Sequence, residues 1–262
     1  MSVKAKLFWI LWVPGMAGVL SFLLVDLSAL IAALPQPPGQ PPVELPPPAL
    51  LKLVSIIQPT VIMTLAVAVG VWLAERVGLH SPAAEAVARG DGFVAKLRPQ
   101  ILPGVLAGLA SGVVIVLSWV VAKPFLTAEF IARAQEFNTF MPAATRLLYG
   151  GFTEELLLRW GVMTFLVWAA WRLLQKGEGA PKSFYFVGAI VLSAIIFGIG
   201  HLPIASMLSG GLTVPLVIYV ITVNSIFGLV AGFLYWRRGL EAAVLAHMSA
   251  HVVLILAIYL AF

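Results

Sequence analysis

The sequence predicts an all-α fold, a polytopic integral membrane helix bundle with seven or eight transmembrane helices. Of its 262 residues, 61% are hydrophobic and only 10% are charged, and the mean hydropathy is +1.03. A soluble domain carries about 25% charged residues because water must solvate its surface. The composition therefore argues against a soluble enzyme, a disordered protein and a nucleic-acid-binding domain.

Seven apolar stretches are long enough to cross a bilayer, for which a helix needs about 17 to 25 residues. The first follows two lysines, as a signal peptide would, but its apolar region is long and no A-x-A cleavage site follows, so we expect a retained anchor. The polar segment Phe125–Met141 is expected to form an interfacial helix or to contribute to an eighth span. The seven predicted spans are Leu7–Val25, Leu51–Ala74, Ile101–Val121, Ala143–Ala170, Phe184–His201, Val214–Trp236 and Leu240–Phe262.

A proline-rich segment separates the first two spans. Residues 35–48 contain eight of the 18 prolines of the chain, and proline fixes φ and lacks a backbone donor. We therefore expect a semi-rigid polyproline II connector there, within a single membrane domain of residues 1–262 whose N-terminal helices occupy residues 1–142.

The charges of the loops predict the orientation of the spans, because cytoplasmic loops carry an excess of Lys and Arg. Four bases fall on one side of the predicted bundle, namely Lys52, Lys123, Arg133 and Arg146. Eleven fall on the other, namely Lys4, Lys6, Arg76, Arg89, Lys96, Arg98, Arg172, Lys176, Lys182, Arg237 and Arg238. This pattern predicts a multi-pass cell-membrane protein with a cytoplasmic N-terminus and, after seven spans, a C-terminus outside. The net charge of +5 therefore reflects topology rather than a surface for nucleic acid.

Glycines recur at four-residue spacing in two predicted spans. They are Gly104, Gly108 and Gly112 in the third span, and Gly228 and Gly232 in the sixth. Such spacing lets helix backbones approach closely in lipid. It predicts helix packing, without identifying the packing partner.

The fourth predicted span contains three ionisable residues, Glu154, Glu155 and Arg159. Each charge at a helix centre costs about 2.5–3.5 kcal/mol, so three unpaired groups would cost on the order of 8 kcal/mol. Glu155 and Arg159 are four residues apart with the acid first, which favours a pair on one helix face. Glu154 lies about 100° around an α-helix from Glu155 and has no local base. The spacing thus predicts one structural pair and one free carboxylate.

Three of the four histidines lie in or beside apolar spans. His201 ends the fifth span, and His247 and His251 lie four residues apart on one face of the last span, whereas His80 lies in a charged loop and is assigned no role. Ionisable groups inside a membrane usually mark function. We therefore expect a common site formed by the three histidines and Glu154, with separate structural polar pairs as the alternative.

These groups support two related chemistries. A glutamate near a histidine can hold and deprotonate a water molecule for hydrolysis, and further imidazoles can donate to the oxyanion that develops. Such a site requires no cofactor. Alternatively, Glu154, His201, His247 and His251 could ligate a divalent metal such as zinc, although no H-E-x-x-H motif is present and cysteine is absent.

The motifs resemble those of a known family. E-E-x-x-x-R at Glu154–Arg159, F-x-x-x-H at Phe197–His201 and H-x-x-x starting at His247 occur in the order found in the type II CAAX-prenyl endopeptidases and the related CPBP, or Abi, membrane proteases. The connecting stretch NSIFGLVAGFLYWRRGLEAAVLAH is also similar. The resemblance covers a core of about residues 143–258 and implies a helical fold with an active-site cavity inside the bilayer.

The resemblance also implies a role for each matched residue. Glu154 would be the catalytic base, His201 would help to activate water, and His247 would stabilise the oxyanion with the residue at position 251. The family has Asn or Asp at that last position, where this chain has His251. Glu155 and Arg159 would be the structural pair, as their spacing also indicates, and Phe197 belongs to the second motif. Asn224, inside the sixth span, is expected to make a helix-packing hydrogen bond or to line the site.

The leading hypothesis is an intramembrane endopeptidase that hydrolyses a peptide bond of a membrane-associated substrate, such as a CAAX-like or lipidated peptide. The alternative is a non-catalytic scaffold or bacteriocin-immunity protein, and a transporter is the weakest interpretation because no inverted repeat is visible. One conflict remains open. The predicted spans place His201 near the outer end of its helix and His247 nearer the inner side, so either the fifth span continues toward Ile204–Leu208 or an additional helix changes the topology.

Overall fold

The computed structural model describes residues 1–32 and 46–261, and these residues form helices and no strand. Among the described residues, seven helices are long and apolar enough to cross a membrane, which confirms the predicted all-α membrane bundle. Most of the predicted polyproline connector, residues 35–45, lies outside the described residues. The second span begins at its last residue, Pro48, because proline is tolerated in the first turn of a helix. The spans are Val3–Leu24, Pro48–Leu73, Phe93–Phe125, Ala143–Leu174, Ser183–Ser209, Val214–Arg237 and Leu240–Leu260.

Shorter helices cover the two ends of the bundle. One of them, Ala128–Phe140, begins after Thr127, whose hydroxyl accepts a hydrogen bond from the Phe130 N–H at 3.2 Å. Its 13 residues extend about 20 Å, which is less than the roughly 30 Å of a hydrocarbon core. The segment Phe125–Met141 therefore adds no eighth span, and its helix packs against the end of the fifth span. The other short helices are Leu27–Ala32 and Pro82–Arg89.

The fourth span is wound unusually around its two glutamates. It runs as a π-helix over Arg146–Thr153 and again over Leu156–Met163, with Glu154 and Glu155 between the two segments. The π-helix is rare and is found frequently at functional sites. The span continues as an α-helix over Thr164–Leu174.

The hydropathy pattern predicted that the fifth span ends at His201, but in the structure the span continues beyond this residue to Ser209. An α-helix runs over Ser183–Gly200, His201 keeps a right-handed helical conformation with φ −90° and ψ −10°, and a second helix follows over Leu202–Ser209. Pro203 does not stop the chain from continuing because it lies in the first turn of that second helix, where no donor is lost. The extension places His201 inside the span, which removes the conflict between its depth and that of His247.

The regularly spaced glycines of the third span pack against the seventh. A Cβ on Gly108 would clash with the backbone of Ala246, and one on Gly104 would lie 2.8 Å from the Ala242 carbonyl oxygen. In the same way, Gly228 of the sixth span faces Ala194 of the fifth at 2.8 Å. These close contacts set the positions of the two spans that carry His247 and His201.

Candidate active site

Glu155 is the centre of a fully buried polar cluster. Its Oε1 atom accepts a hydrogen bond from Nδ1 of His247 at 2.8 Å, and its Oε2 atom lies 3.2 Å from Nε of Arg159. Both Glu155 and Arg159 have no exposed side-chain surface. A charge buried in this way requires a partner of opposite sign. The structure thus places Glu155 beside Arg159, as the spacing predicted, and adds His247 as its second partner.

Arg159 joins this cluster to the neighbouring spans. One of its terminal nitrogens donates to the Gly228 carbonyl oxygen at 3.2 Å, which lies in the sixth span. Its guanidinium carbon is 5.1 Å from the ring centroid of Phe197 and 5.8 Å from that of Phe227, within the range of a cation–π interaction. Phe197 therefore packs between Arg159 and the histidines rather than contributing a polar group.

Glu154, the next residue along the chain, has a different environment. Its side chain is 19% exposed, and its Oε2 atom lies 3.9 Å from Nε2 of His247. That separation exceeds a direct hydrogen bond, but it allows one water molecule to bond both atoms. Among the described residues, His247 is the only basic side chain in contact with Glu154, and its other ring nitrogen is bonded to Glu155. It is thus the carboxylate that faces the cavity.

His201 is oriented by the backbone of its own helix. Its Nδ1 atom lies 2.8 Å from the Phe197 carbonyl oxygen, and a carbonyl can only accept, so Nδ1 carries the proton of this bond. In the neutral ring Nε2 is then left as an acceptor. The F-x-x-x-H motif therefore fixes the tautomer of His201 through a main-chain bond, while Phe197 also holds the ring edge-on at 4.7 Å between centroids.

His247 is oriented in the same way by a side chain. Because Glu155 is ion-paired to Arg159 and acts as the acceptor, Nδ1 of His247 is the donor and Nε2 points toward Glu154. A neutral His247 presents a lone pair at Nε2, whereas a doubly protonated ring presents an N–H group there. The Glu155 carboxylate supplies the counter-charge for that second state, as the buried carboxylate does in an Asp–His pair.

His251 lies one helical turn beyond His247. The two rings are stacked, with centroids 4.9 Å apart and an angle of 9° between their planes. Neither ring nitrogen of His251 has a hydrogen-bond partner in the described part of the chain. A Cβ on Gly150 would meet Nε2 of His251, so this glycine leaves room for the imidazole that replaces the Asn or Asp of the resembled family.

These groups surround one cavity of about 480 Å³. Asn224 also contributes to its wall, and its amide donates to the Val220 carbonyl oxygen at 2.8 Å. That bond stays within its own helix, so Asn224 lines the cavity instead of joining two helices. The predicted residues that line the cavity are Glu154, Phe197, His201, Asn224, His247 and His251.

Several cavity residues were not recognised in the sequence. Tyr149 and Arg146 line the wall one and two turns before Glu154, and Phe22 of the first span covers Tyr149 with ring centroids 4.7 Å apart. Thr153 fixes the first span by donating to the Gly15 carbonyl oxygen at 2.8 Å. The only local signal was the pair of glycines in the stretch YGGFTEE, which permits such a close approach.

A second, largely apolar groove of about 620 Å³ reaches the same residues from another direction. It lies between the second, fourth and fifth spans and includes Leu65, Leu158 and Ile196. Glu154 and His201 belong to both the groove and the cavity. They therefore lie at the junction of the cavity and the groove.

The metal alternative would use the same cavity side chains as the metal-free one. Within residues 1–32 and 46–261, no group of three or more His, Cys, Asp or Glu side chains has the geometry to hold a metal ion. The Nδ1 atoms of His201 and His247 are engaged by a carbonyl and a carboxylate, and these bonds leave the Nε2 atom of each ring for a water molecule or a metal ion. Metal analysis of the purified protein distinguishes the two alternatives.

Fold and site together define a multi-pass membrane protein with a partly open cavity inside its helix bundle, where ionisable side chains lie among mostly apolar ones. Residues 136–253 match the family described as Type II CAAX prenyl endopeptidase Rce1-like. The match covers just under half of the chain, and it agrees with the resemblance of the motifs to those of the CPBP proteases. The family implies an intramembrane endopeptidase of the CAAX type. No curated protein and no solved structure shows significant similarity to the chain.

Proposed function

We propose that this protein is an intramembrane endopeptidase in which Glu154, assisted by His201, activates a water molecule for attack on a peptide bond of a membrane-associated substrate. The observation that carries the proposal is the convergence of one free carboxylate and three imidazoles on a single cavity. A purely structural role would leave Glu154 paired and sealed, but this side chain is partly exposed.

The first step is general-base catalysis. Glu154 accepts a proton from the bound water, and the oxygen attacks the carbonyl carbon of the scissile bond. Nε2 of His201, which its Nδ1 bond to Phe197 leaves as an acceptor, orients the second hydrogen of that water. The tetrahedral intermediate then collapses, and its C–N bond breaks as Glu154 passes the proton to the leaving nitrogen, which yields a carboxylic acid and an amine.

The second requirement is a donor for the oxyanion of the tetrahedral intermediate. His247 provides it in its doubly protonated form, with Nε2–H toward the cavity and Nδ1–H on Glu155. Neutral His251, stacked on His247, has a free N–H for the same purpose. Glu155 and Arg159 do not touch the substrate in this mechanism, and they act as positioning residues for His247.

The two adjoining depressions suggest how a substrate binds. The cavity that contains the ionisable side chains receives the peptide, and the groove beside Glu154 and His201 receives an apolar part of the same molecule. A prenyl chain, another acyl chain or a hydrophobic side of a transmembrane segment would bury its surface there with favourable free energy.

The decisive variant is Glu154→Gln, which keeps the shape of the side chain and removes the base. We expect cleavage by the purified protein in lipid vesicles to fall by about 10²–10⁴-fold, while the protein is produced and folds as before. Glu136→Gln, which neutralises an exposed carboxylate on the short helix Ala128–Phe140, is the matched control and should keep full activity. The substrate is a fluorogenic peptide, with or without a prenyl group.

Two results would count against the proposal. Equal cleavage by Glu154→Gln and the unmodified protein would remove Glu154 from the mechanism. Absence of cleavage in both, together with a lowered yield of the variant, would favour the non-catalytic scaffold. Metal analysis and a parallel assay with a chelator complete the experiment, because loss of activity on chelation would replace this mechanism with a metal-dependent one.

A further inference from the structure

We propose that a basic pocket at one end of the bundle binds the phosphate-containing headgroup of an anionic membrane lipid. The pocket lies where the sixth span ends and the third begins, beside the short helix Pro82–Arg89 that connects the second span to the third. Among the described residues, it shares no lining residue with the cavity that contains Glu154. The inference therefore does not depend on the proposed endopeptidase activity.

The walls of this basic pocket carry more positive than negative charge. Its charged residues are the four bases Arg89, Lys96, Arg237 and Arg238 and the two acids Glu85 and Asp91. Glu85 is already engaged inside the pocket, since its Oε1 atom lies 3.4 Å from Nδ1 of His80 and its Oε2 atom lies 3.6 Å from a terminal nitrogen of Arg89. This carboxylate is therefore occupied by groups other than the three remaining bases.

Those three bases are left without an opposite charge. In the part of the chain that the structure describes, the side chains of Lys96, Arg237 and Arg238 form no ion pair and no hydrogen bond. The topology rule requires only that bases lie in loops, and it does not require bases from two distant loops to share one concavity. Like charges brought together in this way repel one another, so the pocket is suited to an anion.

The pocket lies at the depth where lipid headgroups meet the hydrocarbon core. Trp236 forms part of its wall and stacks on Phe186 of the fifth span, with ring centroids 5.1 Å apart, and tryptophan is enriched at membrane–water interfaces. The guanidinium carbon of Arg237 lies 5.3 Å from the Trp236 ring centroid, within the range of a cation–π interaction. Val94, two residues before Lys96, is 71% exposed. Positive charge and exposed apolar surface therefore adjoin, as an amphiphilic ligand requires.

The size and chemistry of the pocket indicate which part of the lipid it receives. Its volume of about 280 Å³ is at the lower limit of ligand pockets, which measure about 300–1,000 Å³. Arginine binds phosphate through two parallel N–H···O bonds, and lysine adds a point charge. Basic pockets between transmembrane helices bind the headgroups of anionic lipids. The pocket thus fits a phosphoglycerol-type headgroup, while the acyl chains stay in the bilayer.

One wall of the pocket is bonded to the span that carries His247. The Leu240 N–H, at the start of the seventh span, donates to the His80 carbonyl oxygen at 3.1 Å. The next residue, Glu241, accepts a hydrogen bond from the Ser81 hydroxyl at 2.7 Å. A headgroup in the pocket therefore contacts a loop that is fastened to the seventh span, and we expect its binding to stabilise the folded bundle.

The test uses full-length protein purified in a neutral detergent and stripped of lipid. A triple variant with Lys96→Gln, Arg237→Gln and Arg238→Gln removes the three unpaired charges of the pocket. Native mass spectrometry measures the affinity for phosphatidylglycerol, which is anionic, and for phosphatidylcholine, which is zwitterionic. Thermal unfolding is followed with each lipid and with inorganic phosphate alone.

The matched control is a triple variant with Lys4→Gln, Lys6→Gln and Lys182→Gln. It removes three exposed charges from the same end of the bundle, and none of them lines the pocket. Both triple variants therefore have the same net charge and differ in whether the pocket is affected.

We expect phosphatidylglycerol to bind the unmodified protein more tightly than phosphatidylcholine and to raise its Tm. The pocket variant should bind phosphatidylglycerol about a hundredfold more weakly, because each of the three bases contributes about fivefold near an anionic lipid. The control variant should keep the affinity of the unmodified protein. Lys96→Gln alone should weaken binding about fivefold, and it serves as the test if the triple variant does not fold, because the Lys96 side chain is exposed.

Three results would overturn the proposal. Equal losses of affinity in the pocket and control variants would show that the lipid responds to surface charge in general. Equal binding of the two lipids would show that the headgroup charge is not recognised. A rise in Tm with inorganic phosphate as large as that with phosphatidylglycerol would assign the pocket to a free anion instead of a lipid.

Discussion

Glu154 and Glu155 are neighbours in the sequence and have opposite environments. Glu155 is enclosed by Arg159 and His247, so it stabilises an arrangement of spans. Glu154 reaches the cavity and lies 3.9 Å from His247, so it is free to handle a proton. The two environments differ because adjacent residues of a helix point in different directions. Glu155 has Arg159 four residues further on the same helix face, whereas Glu154 points toward the cavity.

His251 is the residue at which this chain departs from the resembled family, and Gly150 is the residue that accommodates it. We expect Gly150→Ala to displace the imidazole and to lower kcat about a hundredfold, the typical cost of losing one oxyanion donor. The fold should be kept because the clash involves a side chain rather than backbone. Kinetics on the purified variant measure the effect.

The double variant Gly150→Ala with His251→Asn is the matched control. Asn is shorter than His and still offers N–H donors, so activity should recover relative to Gly150→Ala alone. If the double variant is as impaired as the single one, the loss comes from the fourth span itself and not from His251.

The helix elements explain how the residues of the candidate site meet. The fourth span holds its two glutamates between π-helical segments, and the fifth span continues through His201 to Ser209 instead of ending there. The seventh span is positioned by the third, through glycines that allow the backbones to touch. His247 is next to Ala246, one of the residues in that contact, so the packing of these two helices fixes its depth.

Gly108→Val tests this contact. The added side chain would meet the Ala246 backbone, which cannot move aside without shifting the seventh span. We expect a loss of about 1–3 kcal/mol in the free energy of unfolding, as for other overpacked cores, and a loss of activity as His247 moves. Thermal unfolding in detergent and peptide cleavage measure the two effects.

Gly188→Val is the corresponding control in the fifth span. Nothing lies within 4 Å of a Cβ at that position, so the same substitution should change neither stability nor activity. A Gly108→Val protein as stable and active as Gly188→Val would contradict the close packing of the third and seventh spans.

At the scale of the whole molecule, the bundle combines a cavity that contains the four ionisable candidate residues with an apolar groove that faces outward between three spans. Leu65 lines the groove and is 61% exposed. We expect Leu65→Trp to fill part of the groove and to raise KM for a prenylated peptide about tenfold, equivalent to about two methylene groups left unburied. KM for the same peptide without the prenyl group should not change.

Leu106→Trp makes the same substitution at a position of similar exposure, 56%, on the third span and away from the groove. It should leave both KM values unchanged. Equal effects of Leu65→Trp on the two peptides would show that the groove does not receive the lipid.

The sequence predicted much of the candidate site because ionisable residues are conspicuous in apolar segments. Glu154, His201, His247 and His251 were selected on that basis, and all of them line the cavity. Tyr149, Gly150 and Phe22 were missed because an aromatic residue or a glycine is ordinary in a membrane span. Their importance arises only from contacts between residues far apart in the chain.

The sequence by itself determined the class of protein, the number of spans and the presence of a buried Glu–Arg pair. These follow from hydropathy summed over some twenty neighbouring residues and from spacing along one helix, which are local properties. Only the tertiary structure decided that His247 bonds Glu155, that His201 lies within a longer fifth span, and that Glu154, His201, His247 and His251 line one cavity. Those features depend on how spans pack against one another, and in lipid that packing is set by close side-chain and backbone fit rather than by hydropathy.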